Sequence, residues 1–192
     1  MSTVEGTITA AFGRHYEVTL GDGRVISGIP RGKKSIHACG DRVTLGKPHG
    51  NEAPIILHAP RSSLLYRADQ WKQKLIAANA SQIVLVVATE PSFSTELISR
   101  ALVAATNQRL RSLIVLNKCD LAALLSAARA ELEPFAALGL PIIELSALTD
   151  AAPLEPWLAG QVSVLVGQSG MGKSTLVNAL LPDAAAATQE IS

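Results

Sequence analysis

The residues Gly167-Gln168-Ser169-Gly170-Met171-Gly172-Lys173-Ser174-Thr175 constrain this chain more than any other stretch. The apolar run Val162-Ser163-Val164-Leu165-Val166 precedes them and Leu176, Leu180 and Leu181 follow at helical spacing, so the local order is strand, glycine loop, helix. Three glycines among residues 167–172 let the backbone curl until several N–H groups converge, and the start of the helix adds partial positive charge. A phosphate fits that convergence. Lys173 is then placed to reach β- and γ-phosphates as the catalytic cation, and the Ser174 hydroxyl to hold Mg²⁺, with Gly167 to Thr175 as the expected cradle. A glycine turn that merely joins a strand to a helix would use similar residues; the flanking strand and helix are what favour phosphate binding.

This loop closes a series of alternating elements that starts near Ser81. Ile83-Val84-Leu85-Val86-Val87 is continuously aliphatic, as a strand buried on both faces would be. A helix is predicted at about Thr95–Gln108, a strand at Leu113–Leu116, a helix at Leu121–Leu138 and a strand at Leu140–Leu145. Asp150 is expected to cap a short helix that holds Trp157 and ends near Gly160. The pattern predicts an α/β domain with a parallel sheet covered on both sides and its ligand at the carboxyl ends of the strands.

Two of those strand ends carry a second message. Asn117-Lys118-Cys119-Asp120 directly follows Leu113–Leu116, and Ser146-Ala147-Leu148 directly follows Ile142–Leu145. A carboxylate at Asp120 can accept from both N1–H and the exocyclic amine of guanine, a donor pair that adenine lacks. Asn117 is expected to tie its loop to the phosphate loop, the Lys118 stem to cover the base, and the Ala147 N–H to donate to guanine O6. Taken alone, Asn-Lys-x-Asp is also a common way to begin a helix, with Asp120 as a plain N-cap. Together with the phosphate loop it points to guanine.

Residues 1–60 read differently. Gly6–Phe12, His15–Leu20, Arg24–Ile29, Arg42–Leu45 and Ile55–Leu57 are five short strands separated by turns, which fits a small closed barrel of the OB type. The loop carrying Arg31, Lys33 and Lys34 is the candidate RNA contact, with Phe12, His15 and Tyr16 as stacking groups or, for Phe12 and Tyr16, as core. His15, His37, His49 and His58 lack ligand spacing and are expected at the surface or as caps. Residues 61–79 are polar, basic and without clear period. They are predicted to be a linker, from which Tyr66 or Trp71 docks one domain on the other. Residues 80–192 make up the second domain.

Charge follows the same division. The chain carries 17 Lys/Arg and 16 Asp/Glu. Residues 1–75 hold 11 of the former and 6 of the latter, a net +5, against 6 and 10 for residues 76–192, a net −4. A basic front module and ordinary solvated charge both account for this. No apolar run approaches the roughly 20 residues of a membrane span, and Met1–Gly6 lacks the basic and apolar regions of a signal peptide. With only Cys39 and Cys119 there is no disulfide framework or Cys-rich zinc site, so a reducing cytoplasm is expected.

In an ordinary Ras-like GTPase the phosphate loop comes first and the guanine motifs last. Here Asn117–Asp120 and Ser146–Leu148 precede Gly167–Thr175, an order that resembles the circularly permuted GTPases. Gly13-Arg14-His15-Tyr16, Arg31-Gly32-Lys33-Lys34, Gly40-Asp41-Arg42-Val43 and Lys74-Leu75-Ile76-Ala77-Ala78-Asn79 narrow it further. With Asn117-Lys118-Cys119-Asp120-Leu121 and Gly170–Thr175, they resemble the ribosome small subunit-dependent GTPase A family (RsgA, also called YjeQ). The resemblance implies an OB-fold domain, a permuted GTPase domain and a zinc-binding C-terminal domain. It also implies GTP and GDP as substrate and product, Mg²⁺, and a role in late maturation of the small ribosomal subunit, whose rRNA it binds; separately, no membrane partner and a monomeric state are expected. Family members continue into a switch segment, an Asp-x-Pro-Gly motif and the zinc domain. This chain reaches Ser192 first, so the resemblance implies the front part of a longer protein, with the GTPase domain incomplete and the hydrolytic histidine and Zn²⁺ ligands outside it. Val162–Val166 is then expected as an apolar sheet edge.

Three activities are open at this point: a GTPase that times its own release from the small subunit; a guanine-nucleotide-binding module without turnover; and an ATPase or kinase built on the same loop, in which Asp120 would have no role.

Overall fold

The computed structural model describes residues 3–13, 15–32, 36–68 and 73–181. The chain divides into two compact units, Met1–Ala80 and Ser81–Ser192.

In the first unit β1 (Val4–Phe12), β2 (His15–Leu20), β3 (Val25–Ile29), β4 (Arg42–Leu45) and β5 (Glu52–His58) close into a barrel in the order β1-β2-β3-β5-β4. Antiparallel pairing of β1 with β4 closes it, and β3 runs parallel to β5. The alternation of Tyr16, Val18 and Leu20 with polar residues turns those three inward onto Ile8, Ile26, Val43, Leu45 and Ile55. Tyr16 is fully buried, so of the stacking and core roles that the sequence left open it takes the core one. Phe12, at the end of β1 beyond an irregularity at Ile8/Ala10, is 53% exposed and belongs to the surface. His15 is exposed and its Nε2 lies 3.1 Å from Ser27 Oγ.

Residues 61–79, expected as a linker, carry a hairpin instead: β6 (Leu64–Ala68) pairs antiparallel with β7 (Gln73–Ala78). A register shift between Leu65 and Tyr66 breaks the period-two pattern that would have announced it. Tyr66 is 50% exposed, and Trp71 lies outside the described residues.

The turn Gly40-Asp41 fastens hairpin and barrel together. Gly40 donates to Ile8 O at 2.8 Å and Ile8 donates to Asp41 O at 2.9 Å, while the Ala78 N–H reaches Cys39 O at 2.8 Å. Asn79 Nδ2 donates to Gly40 O at 2.8 Å and its Oδ1 accepts the Ser62 N–H at 2.8 Å. The Arg61 guanidinium grips both Asp41 oxygens at 2.7 Å. Burial alone would raise the Asp41 carboxyl, but the Arg61 hydrogen bond, the Ala38 N–H and the neighbouring positive charge outweigh it and hold it below its ordinary value. His37, expected at the surface, is 7% exposed; it packs edge-on to Tyr16 and His58 with its Nδ1 unpartnered. Burial is the main reason its pKa falls below the ordinary histidine value, against the pull of Asp41.

The second unit alternates as predicted: β8 (Gln82–Ala88), α1 (Thr95–Asn107), β9 (Arg111–Asn117), α2 (Ala122–Ala137), β10 (Ile142–Glu144), a 3₁₀ turn (Ala152–Leu154), α3 (Glu155–Leu158), β11 (Ser163–Val166) and α4 (Lys173–Leu180). Asp150 Oδ1 accepts the Ala152 N–H at 2.9 Å, which starts the 3₁₀ turn. The strands form a parallel sheet in the order β10-β9-β8-β11. Every residue of β8 is buried, so both its faces are covered. Among the described residues β11 stands at the edge; it is only half-buried, with Val162 just before it 56% exposed. The chain steps outward from β8 through β9 to β10 and then returns to the other side of β8. The β8/β11 boundary is therefore the switch point of the sheet, where doubly wound folds bind ligands. No helix among the described residues is long and apolar enough to cross a membrane.

Candidate functional site

Parallel register brings the three motifs to one edge of the sheet. Ala88 pairs with Asn117, Leu116 with Glu144 and Leu85 with Val166, so the loops that leave β9, β10 and β11 emerge at the same end of the sheet, with β8 between β9 and β11. Gly167 begins its loop over the carbonyl of Val86, where a β-carbon could not fit. Gly172 adopts φ 84° as the N-cap of α4, and a β-carbon there would collide with Asn117 Nδ2. Both the left-handed backbone and the close approach demand glycine. The first intrahelical bond of α4 runs from the Leu176 N–H to Gly172 O at 2.9 Å. The Lys173, Ser174 and Thr175 N–H groups thus belong to the unpaired first turn, where an anion is stabilised. Lys173 folds back over the loop, its Nζ donating to Gln168 O at 2.7 Å. Met171 is 1% exposed and anchors the loop from below.

Asn117 is the junction. It is 2% exposed; its Nδ2 donates to Met171 O in the phosphate loop and its Oδ1 accepts the Ala147 N–H, both at 2.9 Å. One buried carboxamide therefore holds the Gly167–Thr175, Asn117–Asp120 and Ser146–Leu148 segments in fixed relation. The Ala147 N–H, expected to face guanine O6, is committed to this bond. Cys119 donates its N–H to Leu145 O at 3.1 Å, a second tie between the Asn117–Asp120 and Ser146–Leu148 segments. Burial is the main cause that raises its thiol pKa above the ordinary cysteine value. Lys118 takes φ 61°, and Asp120 is exposed. The N-cap position of α2 is Leu121, with no side-chain hydrogen bond, so Asp120 is not the plain cap that its sequence context also allowed. Ser146 is buried and Leu148 is 78% exposed. On the barrel unit Arg31 is exposed, and Lys33 and Lys34 lie outside the described residues.

One contributor, Thr89, lies outside the motifs, and Gln168, inside the expected cradle, takes a side-chain contact that the motif did not announce. Gln168 Oε1 accepts the Ser94 N–H at 2.8 Å, and Thr89 Oγ1 donates to Lys118 O at 3.0 Å. Thr89 directly follows β8, so the rule that ligands gather at the carboxyl ends of strands pointed to it.

A family model described as RsgA GTPase matches residues 58–192. The chain belongs to the RsgA GTPase family. It is 51% identical over 193 residues to a small ribosomal subunit biogenesis GTPase RsgA from Burkholderia pseudomallei strain K96243, covering 98% of this chain and 62% of that protein. The corresponding protein of Nitrosospira multiformis is 50% identical, with 98% of this chain and 60% of that one covered. The chain thus spans about 62% of the length of the first of these curated relatives. YjeQ from Thermotoga maritima superposes with a TM-score of 0.72 at 29% identity, over 95% of this chain and 66% of that one. YloQ, described as a circularly permuted GTPase, gives 0.66 at 26% identity, over 96% of this chain and 66% of that one. The fold is that of a circularly permuted P-loop GTPase domain preceded by an OB-type barrel.

Proposed function

We propose that the second unit binds guanine nucleotide across the sheet edge and hydrolyses GTP, and that the protein acts in biogenesis of the small ribosomal subunit. The observation that carries the nucleotide reading is the Asn117 carboxamide, which joins Met171 O to the Ala147 N–H and so puts a phosphate grip and a base-reading loop on one buried group. In this reading the N–H groups of Gly167–Thr175 and the Lys173 ammonium hold the phosphates and offset charge on the β–γ bridge as water attacks the γ-phosphate. The half-buried Ser174 hydroxyl, in the first turn of α4, fits a ligand to Mg²⁺, which when bound adds Lewis-acid stabilisation of the phosphate oxygens. Asp120 accepts from the guanine Watson–Crick edge, the Lys118 stem covers the base, and Ser146, Ala147 and Leu148 form the wall beside it.

The barrel takes rRNA of the small subunit, with exposed Arg31 and the adjacent Lys33 and Lys34 on its phosphates. The 51% identity to a protein named for small-subunit biogenesis supports this assignment, as does the OB topology. Phosphate release from GTP, measured with and without purified small subunits, tests the proposal. Turnover stimulated by the subunits is expected. Tight GDP binding without turnover in either condition would reduce the chain to a nucleotide-binding module.

A further inference from the structure

Both grips of the site converge on a short segment, the connection Thr89–Ser94 between β8 and α1. At its start Thr89 donates its N–H to Asn117 O at 3.2 Å and its hydroxyl to Lys118 O at 3.0 Å. Those acceptors are the backbone of the base-facing loop. Lys118 holds φ 61°, a left-handed conformation that a lysine keeps only when its surroundings tie it down. At the other end the Ser94 N–H donates to Gln168 Oε1 at 2.8 Å, on the residue whose own carbonyl receives Lys173 Nζ. Between the two, the Pro91 ring faces Gly170, 3.3 Å from where a β-carbon would stand. Ser94 is itself fixed, because its Oγ accepts the Leu97 N–H at 3.2 Å and caps α1. The connection also leaves β8 at the β8/β11 switch point.

We propose that Thr89–Ser94 is a strap that sets the spacing between the phosphate loop and the base-facing loop, with Thr89 and Gln168 as the positioning residues at its two ends. The inference rests on the guanine-nucleotide reading above. Neither side chain has to touch nucleotide; each acts through the group it holds. A strap released at one end transmits nothing, so releasing the other end adds little.

Gln168→Met keeps the side-chain length and removes the acceptor, and Thr89→Val keeps the shape and removes the hydroxyl. The test is the Kd of a fluorescent GDP for the wild-type chain, both single variants and the double variant. Each single change is expected to weaken binding about tenfold, and the double change by about the same factor, since residues coupled through one element are non-additive. Losses that multiply to about a hundredfold, or a single variant within about twofold of wild type, would overturn the strap. Amide exchange at Ser94 without nucleotide is a second readout that a loss of binding does not obscure. Faster exchange in Gln168→Met, with the rest of the sheet still protected, is expected, and unchanged exchange overturns the strap. A wild-type chain that binds no GDP would instead overturn the nucleotide reading, and the strap's role with it.

Discussion

Replacing Asn117 probes the junction of the site. Its two hydrogen bonds, both 2.9 Å and both buried, satisfy Met171 O and the Ala147 N–H. Asn117→Ala leaves both groups without a partner, at about 1–3 kcal/mol each, so the second unit should lose about 2–6 kcal/mol. At about 4 °C per kcal/mol for a unit of this size, the melting temperature of that unit falls by about 8–24 °C. GDP affinity should fall further than stability alone explains, by about a hundredfold, because a displacement of the order of 1 Å between the two grips misaligns both. Asn117→Asp separates the two bonds. The carboxylate keeps the acceptor for the Ala147 N–H but sets a charge against Met171 O, and burial raises its pKa above the ordinary aspartate range. Its protonated form can donate to Met171 O. Stability of Asn117→Asp is thus recovered at low pH and lost as pH rises through the raised folded value, whereas Asn117→Ala shows no such recovery. Thermal unfolding between pH 5 and 8, read beside GDP titration, makes the comparison. An Asn117→Ala protein with unchanged melting and GDP affinity within about twofold of wild type would refute the junction.

Other changes test the remaining parts. Arg61→Met strands the buried Asp41 carboxylate and should destabilise the barrel unit by about 3 kcal/mol in urea unfolding at neutral pH. Because the folded Asp41 pKa is lowered, its contribution is present above the ordinary aspartate value near about 4 and is lost as pH falls through the folded value. Arg61→Met should accordingly flatten that acid limb. His37 has a lowered folded pKa, so wild-type stability should decline as pH drops below about 6.5, where only the unfolded chain takes the proton; His37→Phe should remove that slope in the same titration. Gly172→Ala adds about 1–3 kcal/mol of left-handed strain and drives a β-carbon into the Asn117 amide, so GDP titration should show near-complete loss of binding.

What the sequence could reveal depended on the range of the interactions. Strands such as β2 and β8 were legible because burial imposes a pattern on consecutive residues: alternating for His15–Leu20, continuous for Gln82–Ala88. The three site motifs were legible because each is a contiguous run at a strand end, and parallel register alone brings those ends together. The hairpin at Leu64–Ala78 was hidden by the irregularity beside Tyr66. The burial of His37 was hidden because it sits in an aperiodic loop and depends on packing against the distant His58 and Tyr16. Likewise the Ala147 N–H was assigned to the base because nothing local indicates that Asn117, thirty residues earlier, already occupies it. The side-chain bonds of Thr89 to Lys118 O and of Gln168 to the Ser94 N–H cross between loops distant in sequence, so spacing alone does not reveal them.

The central claim is that one loop grips phosphate while Asp120 reads guanine, and nucleotide competition on Asp120→Asn tests it most directly. Fluorescent GDP bound to the wild-type chain should be displaced by unlabelled GDP and not by ADP. In Asp120→Asn the carboxamide offers a donor in place of an acceptor, so the preference should pass from GDP to xanthosine diphosphate, whose C2 carbonyl replaces the amine. Displacement of wild-type GDP by equal concentrations of ADP, or a base preference unmoved by Asp120→Asn, would contradict the account.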